Sequence, residues 1–138
     1  MRTSDAMGND VAVTTKYGYR DPYAFTDLYN ASGTRVRAIW TLLYKVIDNC
    51  NNIIAKVDAA EGTQDHKDVL KGQAKALRAF AYLNLATYYQ FSYLKDPNAL
   101  AVPIYTEPSK IETKGQPKAS LKDIYQLITG DLTDAQRL

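Results

Sequence analysis

The chain has 138 residues, of which 46% are apolar and 23% charged, the length and composition of one ordinary globular domain. Its formal charge of +2 is too small to indicate a nucleic-acid partner or an anionic membrane surface. A single cysteine, Cys50, excludes an intrachain disulfide and a multi-thiolate metal site, so packing has to hold the fold together.

Residues 1–33 are predicted to form loop and short turns, because glycine, proline and aspartate recur and no hydrophobic period is sustained. The chain carries eleven tyrosines against three phenylalanines and one tryptophan. Since a phenol joins an apolar ring to a polar hydroxyl, this balance favours half-exposed rings over fully buried ones. Several of them stand in this first segment: Tyr17, Tyr19, Tyr23 and Tyr29.

The first long helix is predicted to start near Val36, with Ser32 or Thr34 as its N-cap, and to end before Glu61. Apolar residues recur there at steps of three and four, the spacing of one helix face. They are Val36, Ile39, Trp40, Leu43, Val46, Ile47, Cys50, Ile53, Ile54 and Val57. Trp40 is interpreted as a core residue because it lies on this stripe.

A second helix is predicted from about Asp68 to Phe91, with two apolar stripes and therefore two packing neighbours. Its alanines are strong helix formers and allow a neighbouring helix to approach closely. The first stripe is Leu70, Ala74, Leu77, Ala81, Leu85 and Tyr88, and the second is Ala76, Phe80, Leu83 and Thr87.

The same helix carries three basic residues, Lys71, Lys75 and Arg78, at helical spacing. Such a stripe could follow a phosphate backbone, but three isolated charges are more typical of a solvated helix edge. Arg78 is the expected exception, because its planar guanidinium can bond backbone carbonyls or Asp131 of the next helix. The single histidine, His66, stands at the expected helix entry, where a capping or solvent role is predicted.

Residues 95–117 contain four prolines and are predicted to be an irregular connection that packs or functions. A third helix follows, with Ser120 as N-cap and Asp123 completing a start that resembles a capping box. Its apolar face is Leu121, Ile124, Tyr125, Ile128, Leu132 and Ala135. An amphipathic face needs a partner, and two preceding helices are not expected to cover every stripe, which suggests a piece of a longer protein.

Three stretches, 72–85, 102–108 and 117–132, resemble the SusD/RagB family of outer-membrane nutrient-binding lipoproteins of Gram-negative bacteria. The family shows, in this order, a Gly-x-Ala-x-x-Leu-Arg-Ala-aromatic helix, a Val-Pro step and a Pro-Arg-Ala-Ser helix ending in Asp-Leu. The matching positions are Gly72, Ala74, Leu77, Arg78, Ala79, Phe80, Pro103, Ser120, Tyr125 and Asp131. Gln73 and Lys118 depart from the pattern, where the family usually has Glu and commonly has Arg.

This resemblance implies an all-α fold of tetratricopeptide-like helical hairpins, an α/α superhelix scaffold with long irregular loops. We expect 1–138 to be a single domain, with a loop segment at 1–33 and three long helices and the Pro-rich connection at 34–138. Family members run to several hundred residues with a signal peptide and a lipidated cysteine. We therefore expect this chain to be the N-terminal part of such a protein, with its membrane contact only through a lipid anchor absent from this chain.

The resemblance further implies capture of oligosaccharides, or in some members peptides, at the outer-membrane surface and delivery to a SusC-like TonB-dependent transporter. In the family, part of the ligand site comes from aromatic-bearing loops before the first long helix. Here, tyrosine rings could pack on the C–H patches of sugar rings, and neighbouring polar groups could bond their hydroxyls. The expected ligand-binding residues are Asn9, Asp10, Tyr17, Tyr19, Arg20 and Tyr23.

No sequence motif for catalysis, nucleotide binding or a metal ion is found, so we expect no enzyme activity, no cofactor, no metal site and no nucleic-acid partner. One alternative is a tetratricopeptide-like module that binds a protein or peptide and no glycan, although no 34-residue repeat is visible. A more distant alternative is a small hydrolase that uses carboxylates on a glycan.

Overall fold

The computed structural model describes residues 8, 12–14, 18–26, 30 and 33–138. The elements described are α1 (Arg20–Tyr23), α2 (Thr34–Lys56), a short 3-10 helix (Val57–Ala59), α3 (Gln64–Tyr89), β1 (Leu100–Pro103), β2 (Lys118–Ser120) and α4 (Leu121–Arg137). This mostly helical structure confirms the predicted all-α class. The chain divides into two compact units, residues 1–41 and 42–138. The expectation of a single domain stays a prediction.

The core of the second unit lies between α3 and α4. Side chains of both helices are fully buried there, among them Tyr82, Leu85, Leu121 and Ile124. The helices run antiparallel, since Lys75 pairs with Asp134 and, one turn further along α3, Arg78 pairs with Asp131. These pairs show that the alanine-rich helix packs directly against α4.

Gly72 lies at a close approach of these two helices. A Cβ placed on this glycine would lie 3.3 Å from the backbone oxygen of Ala135 and 3.7 Å from the Cβ of Leu138. An alanine would therefore push against backbone, which has less freedom to yield than a side chain. The glycine lets the last turn of α4 lie directly against the first half of α3.

The helix starts follow their capping residues. The Oγ of Ser120 accepts a hydrogen bond from the backbone N–H of Asp123 at 3.1 Å, so the predicted N-cap is confirmed. The second of the predicted long helices, α3, begins earlier than predicted, at Gln64. Thr63 caps it, because its side chain accepts a hydrogen bond from the N–H of His66. Thr34 is the first helical residue of α2, and Ser32 lies outside the described residues.

The Pro-rich connection contains one short strand that the sequence did not predict, and a second lies just beyond its end. β1 pairs with β2 in an antiparallel arrangement, with Leu100 opposite Ser120 and Pro103 opposite Lys118. Strands of three or four residues are too short to show an alternating hydrophobic period, which is why the pattern was missed. The pair brings the end of the connection back beside its beginning, immediately before α4.

The two predicted stripes of α3 meet different environments. Ala74, Ala81 and Leu85 of the first stripe are buried, as expected. Leu77 and Phe80, one from each stripe, are 50% and 59% exposed. Within the part of the chain that the structure describes, α3 packs against α4 and bonds to α2 through Arg78, and one broad face of α3 stays uncovered there.

Candidate functional site

The predicted ligand-binding segment forms a short turn of helix in the first unit. Of its six expected residues, the structure places Tyr19, Arg20 and Tyr23 together on α1 and its N-cap. The N–H of Tyr23 donates to the carbonyl of Tyr19 at 3.1 Å, which sets the two aromatic residues one turn apart. Asn9, Asp10 and Tyr17 lie outside the described residues, so their predicted role stays a prediction.

Proline anchors this turn while the rings around it meet solvent. Pro22 is fully buried, and its fixed φ suits the first turn of a helix. Tyr23 is 48% exposed and Tyr19 is half-buried, so these phenols are not sealed inside the molecule. An exposed ring beside an exposed Arg20 offers both an apolar patch and a hydrogen-bond donor.

Arg35 of α2 adds a cation that the sequence did not single out. Its guanidinium lies 5.7 Å from the centre of the Tyr19 ring, and its Nη2 donates to the carbonyl of Gly18 at 2.7 Å. Gly18 itself has a φ of +69°, a left-handed conformation that favours glycine. The cation therefore fixes the Tyr19 ring against the start of α2.

Phe25 is a second residue that sequence reasoning passed over. It has a φ of +59°, in the left-handed region that a bulky side chain rarely adopts, and its ring is 43% exposed. Its N–H donates to the carbonyl of Pro22, which closes the turn at the end of α1. A strained residue that presents an exposed ring is a candidate for ligand contact, and no sequence pattern reports its backbone angle.

In the second unit, Arg78 holds a buried network. Its Nε and Nη2 donate to the two carboxylate oxygens of Asp131 at 2.8 and 2.7 Å, a bidentate pair whose side chains are 7% and 5% exposed. Its Nη1 donates to the Oδ1 of Asn51 at 2.7 Å and to the carbonyl of Thr106 at 3.4 Å. The predicted bonding of Arg78 to carbonyls and to Asp131 is confirmed.

Asn51 completes this Arg78 network from α2. It is 1% exposed, and its Nδ2 donates to the carbonyls of Tyr105 and Glu107 at 3.1 and 3.0 Å. Sequence reasoning missed Asn51 because two other asparagines, Asn49 and Asn52, and Asp48 stand close to it on the same helix. The network ties α2, α3 and α4 to one stretch of the connection.

Two tyrosine hydroxyls and one carboxylate also form hydrogen bonds with the backbone of the connection. The Tyr82 hydroxyl donates to the carbonyl of Tyr105 at 3.0 Å and accepts from its N–H at 2.7 Å. The Tyr44 hydroxyl donates to the carbonyl of Pro103, and the Asp48 carboxylate accepts from the N–H of Ser109. That last bond lowers the pKa of Asp48. The connection therefore packs on the helices as a fixed part of the scaffold, as predicted.

Burial raises the pKa of Tyr82 to about 12, from an ordinary value of 10.0, and also raises the pKa of Tyr44. A group whose pKa is higher in the folded than in the unfolded state contributes its full stabilisation below the unfolded-state pKa. That contribution is lost as the pH rises through the folded-state pKa. We expect the free energy of unfolding to fall between pH 10 and about 12, by roughly 2 kcal/mol for Tyr82 alone. Urea titrations at stepped pH would measure it. The free energy of unfolding of a Tyr82→Phe variant should fall less steeply with pH than that of the wild-type protein. An equal pH dependence for the two proteins would contradict the contribution of Tyr82.

The thiol of Cys50 is poorly placed to act as a nucleophile. Cys50 is 2% exposed, and burial raises the pKa of its thiol, which disfavours the thiolate. Lys71 and Lys75, expected at a solvated edge, pair with Asp58 and Asp134, whose side chains are 61% and 49% exposed. Among the described residues no cluster of three or more His, Cys, Asp or Glu could hold a metal ion.

None of the helices in the described part of the chain is both long enough and apolar enough to cross a membrane.

The chain is similar to proteins of known structure from Bacteroides. A SusD-like carbohydrate-binding protein of Bacteroides vulgatus is 43% identical, with a TM-score of 0.88 over 99% of this chain. A second solved protein of the same species is 38% identical, with a TM-score of 0.65 over 72% of this chain. A SusD superfamily protein of Bacteroides thetaiotaomicron, 24% identical with a TM-score of 0.71, shares the fold over 91% of this chain.

This chain spans 29%, 23% and 28% of the lengths of those three proteins. No match to this chain was found among curated proteins. Residues 2–138 match the SusD-like family described as "Starch-binding associating with outer membrane". The match covers the N-terminal turn, the buried Arg78 network and the connection that it holds, and by it the chain belongs to the SusD/RagB family.

Proposed function

We propose that this chain forms part of a protein that binds oligosaccharides at the outer-membrane surface, without catalysis, and delivers them to a SusC-like TonB-dependent transporter. The family match over residues 2–138 supports glycan binding and outer-membrane association. The observation that carries the proposal is the α1 turn, where exposed aromatic rings stand beside a cation and carboxylate. The transporter partner, the lipid anchor and the surface location rest on the family resemblance.

The α1 turn suits a sugar chain better than a compact charged ligand. Tyr23 and Phe25 are exposed within two residues of each other, and flat rings match the C–H faces of pyranoses. Arg20 and Asp21 are exposed on the same turn and can bond sugar hydroxyls as donor and acceptor. The few contacts that such an open surface can make gain little binding free energy beyond the cost of ordering the ligand. We therefore expect weak binding of a polymer segment.

A scaffold of this kind captures its ligand without changing any covalent bond in it. The buried Arg78 network and the phenols fix the connection between α3 and α4. Cys50 packs in the core, and the backbone N–H of His66 bonds the capping residue of α3.

The test is isothermal titration of the full-length protein with maltoheptaose and a panel of other oligosaccharides. Tyr23→Ala should weaken the binding about five- to tenfold, the loss expected when an anchoring ring of a small interface is removed. Phe91→Ala, which removes a ring that is 66% exposed but lies outside the α1 turn, is the matched control.

Equal affinities for the wild-type protein and both variants would contradict the role of the α1 turn. Absence of binding to every glycan, with binding to peptides instead, would favour the protein- or peptide-binding module predicted as the alternative. Any shortened product recovered after incubation with a bound oligosaccharide would contradict capture without chemistry.

A further inference from the structure

Residues 108–116 of the Pro-rich connection follow a defined path although they bury very little of their surface. Every residue from Ser109 to Gln116 is exposed, and Ile111 is 100% exposed. Fixing a backbone costs conformational entropy, which the burial of apolar surface normally offsets. Because that offset is missing here, hydrogen bonds have to hold this segment in place.

The backbone just before this segment is held by buried groups. The carbonyls of Tyr105 and Glu107 accept hydrogen bonds from the Nδ2 of Asn51 at 3.1 and 3.0 Å, and the carbonyl of Thr106 accepts one from Arg78. Asn51 and Arg78 are both buried. The firmly held part of the connection therefore extends as far as Glu107.

The segment that follows is bonded to side chains outside it at two points. The Asp48 carboxylate of α2 accepts from the N–H of Ser109 at 2.8 Å, and the Tyr105 hydroxyl accepts from the N–H of Gln116 at 3.0 Å. Both bonds lie at the exposed surface, where water competes for the same groups. These two bonds are therefore easier to break than those of the Arg78 network.

The middle of the segment is bonded to itself. The N–H of Lys110 donates to the Oγ1 of Thr113 at 2.7 Å, and the N–H of Thr113 donates to the carbonyl of Lys110 at 3.0 Å. These reciprocal bonds close a turn that does not depend on the helices. Pro108 and Pro117, whose rings restrict the backbone, stand at the two ends. The segment can therefore move as one body about its ends.

We propose that residues 108–116 form a strap that opens and closes as one unit, with the Asp48 carboxylate as its latch and the Tyr105 hydroxyl as its second attachment point. The latch is the stronger of the two, because a charged acceptor forms stronger hydrogen bonds than a neutral one. Loss of either bond gives the loop more freedom, which lowers the effective concentration of the other pair. The proposal concerns the second unit alone and does not depend on glycan binding.

The test measures amide hydrogen exchange, resolved at single residues, in the full-length protein. In Asp48→Ala we expect exchange to become at least about tenfold faster at Ser109, whose N–H loses its charged acceptor. Exchange should also become at least about threefold faster at Gln116, although its N–H is bonded to a different side chain. The effect at Gln116 distinguishes a strap that opens as one unit from two independent bonds.

Tyr105→Phe is the reciprocal variant, because it removes the second attachment point and keeps the latch. It should speed exchange at Ser109 by at least about threefold. Asn52→Ala is the matched control: Asn52 lies four residues from Asp48 on α2 and bonds the carbonyl of that residue rather than its carboxylate. It should leave exchange at Ser109 and Gln116 unchanged. The N–H of Tyr105, bonded to the Tyr82 hydroxyl, reports on the backbone before the strap and should not change in Asp48→Ala.

Trypsin gives a second readout of opening. Lys110 and Lys114 lie within the strap, and a protease cuts such a segment from its opened state. Cleavage after these two lysines should be at least about threefold faster in Asp48→Ala than in the wild-type protein, and unchanged in Asn52→Ala.

Faster exchange at both amides, with the reciprocal effect of Tyr105→Phe and an unchanged Tyr105 N–H in Asp48→Ala, would support the proposal. Acceleration confined to the amide that lost its acceptor would show two independent bonds and overturn it. Equal exchange in Asp48→Ala and the wild-type protein, or equal acceleration at the N–H groups of Tyr105 and Gln116, would overturn it as well.

Discussion

Replacing Asp131 with alanine is expected to lower the free energy of unfolding by about 3–5 kcal/mol, because the substitution leaves the Arg78 guanidinium buried without its counter-charge. The two side chains are 5% and 7% exposed and share two hydrogen bonds of 2.7 and 2.8 Å. Urea unfolding followed by circular dichroism measures the loss.

Asp58→Ala is the matched control for this experiment. It breaks the pair between Asp58, which is 61% exposed, and Lys71, which is 25% exposed. An exposed ion pair contributes at most about 1 kcal/mol to the free energy of unfolding. A double variant, Arg78→Met with Asp131→Leu, removes both charges and should recover much of the stability. If Asp131→Ala costs no more than Asp58→Ala, the Arg78 network does not stabilise the scaffold.

Replacing Asn51 with leucine is expected to cost about 2–4 kcal/mol, although the two side chains are similar in size. The substitution removes one acceptor from Arg78 and two donors from the carbonyls of Tyr105 and Glu107. Buried polar groups that lose their partners cost about 1–3 kcal/mol each, and some of them will find partial replacements. Denaturant unfolding measures the change, and faster amide exchange around residues 105–109 should accompany it.

Asn52→Leu provides the comparison on the same helix. Its Nδ2 donates to the carbonyl of Asp48 within α2, and leucine is the better helix former, so we expect a change below about 1 kcal/mol. Similar losses for Asn51→Leu and Asn52→Leu would show that Asn51 does not hold the connection.

Much of the scaffold could be predicted because its signals are local. Helical spacing identified all three long helices, and Ser120 with Asp123 marked the start of the last one. The partner of Arg78 was predicted because a forked cation among alanines needs a buried anion, and Asp131 stood at the right place on the next helix.

Other features depend on contacts that no local pattern records. Which asparagine of α2 turns inward is decided by the position of the connection, so Asn51 could not be told from its neighbours. The aspartate partners of Lys71 and Lys75 depend on how the helices pack. The left-handed backbone of Phe25 and the approach of Arg35 to Tyr19 likewise arise only in the folded turn.

We expect rings of the α1 turn to contact the bound glycan. The most direct measurement is a crystal structure of the full-length protein with bound maltoheptaose. We predict a pyranose ring in van der Waals contact with Tyr19, Tyr23 or Phe25, and an intact oligosaccharide. A bound glycan that touches none of these three residues, or one found cleaved, would contradict the account.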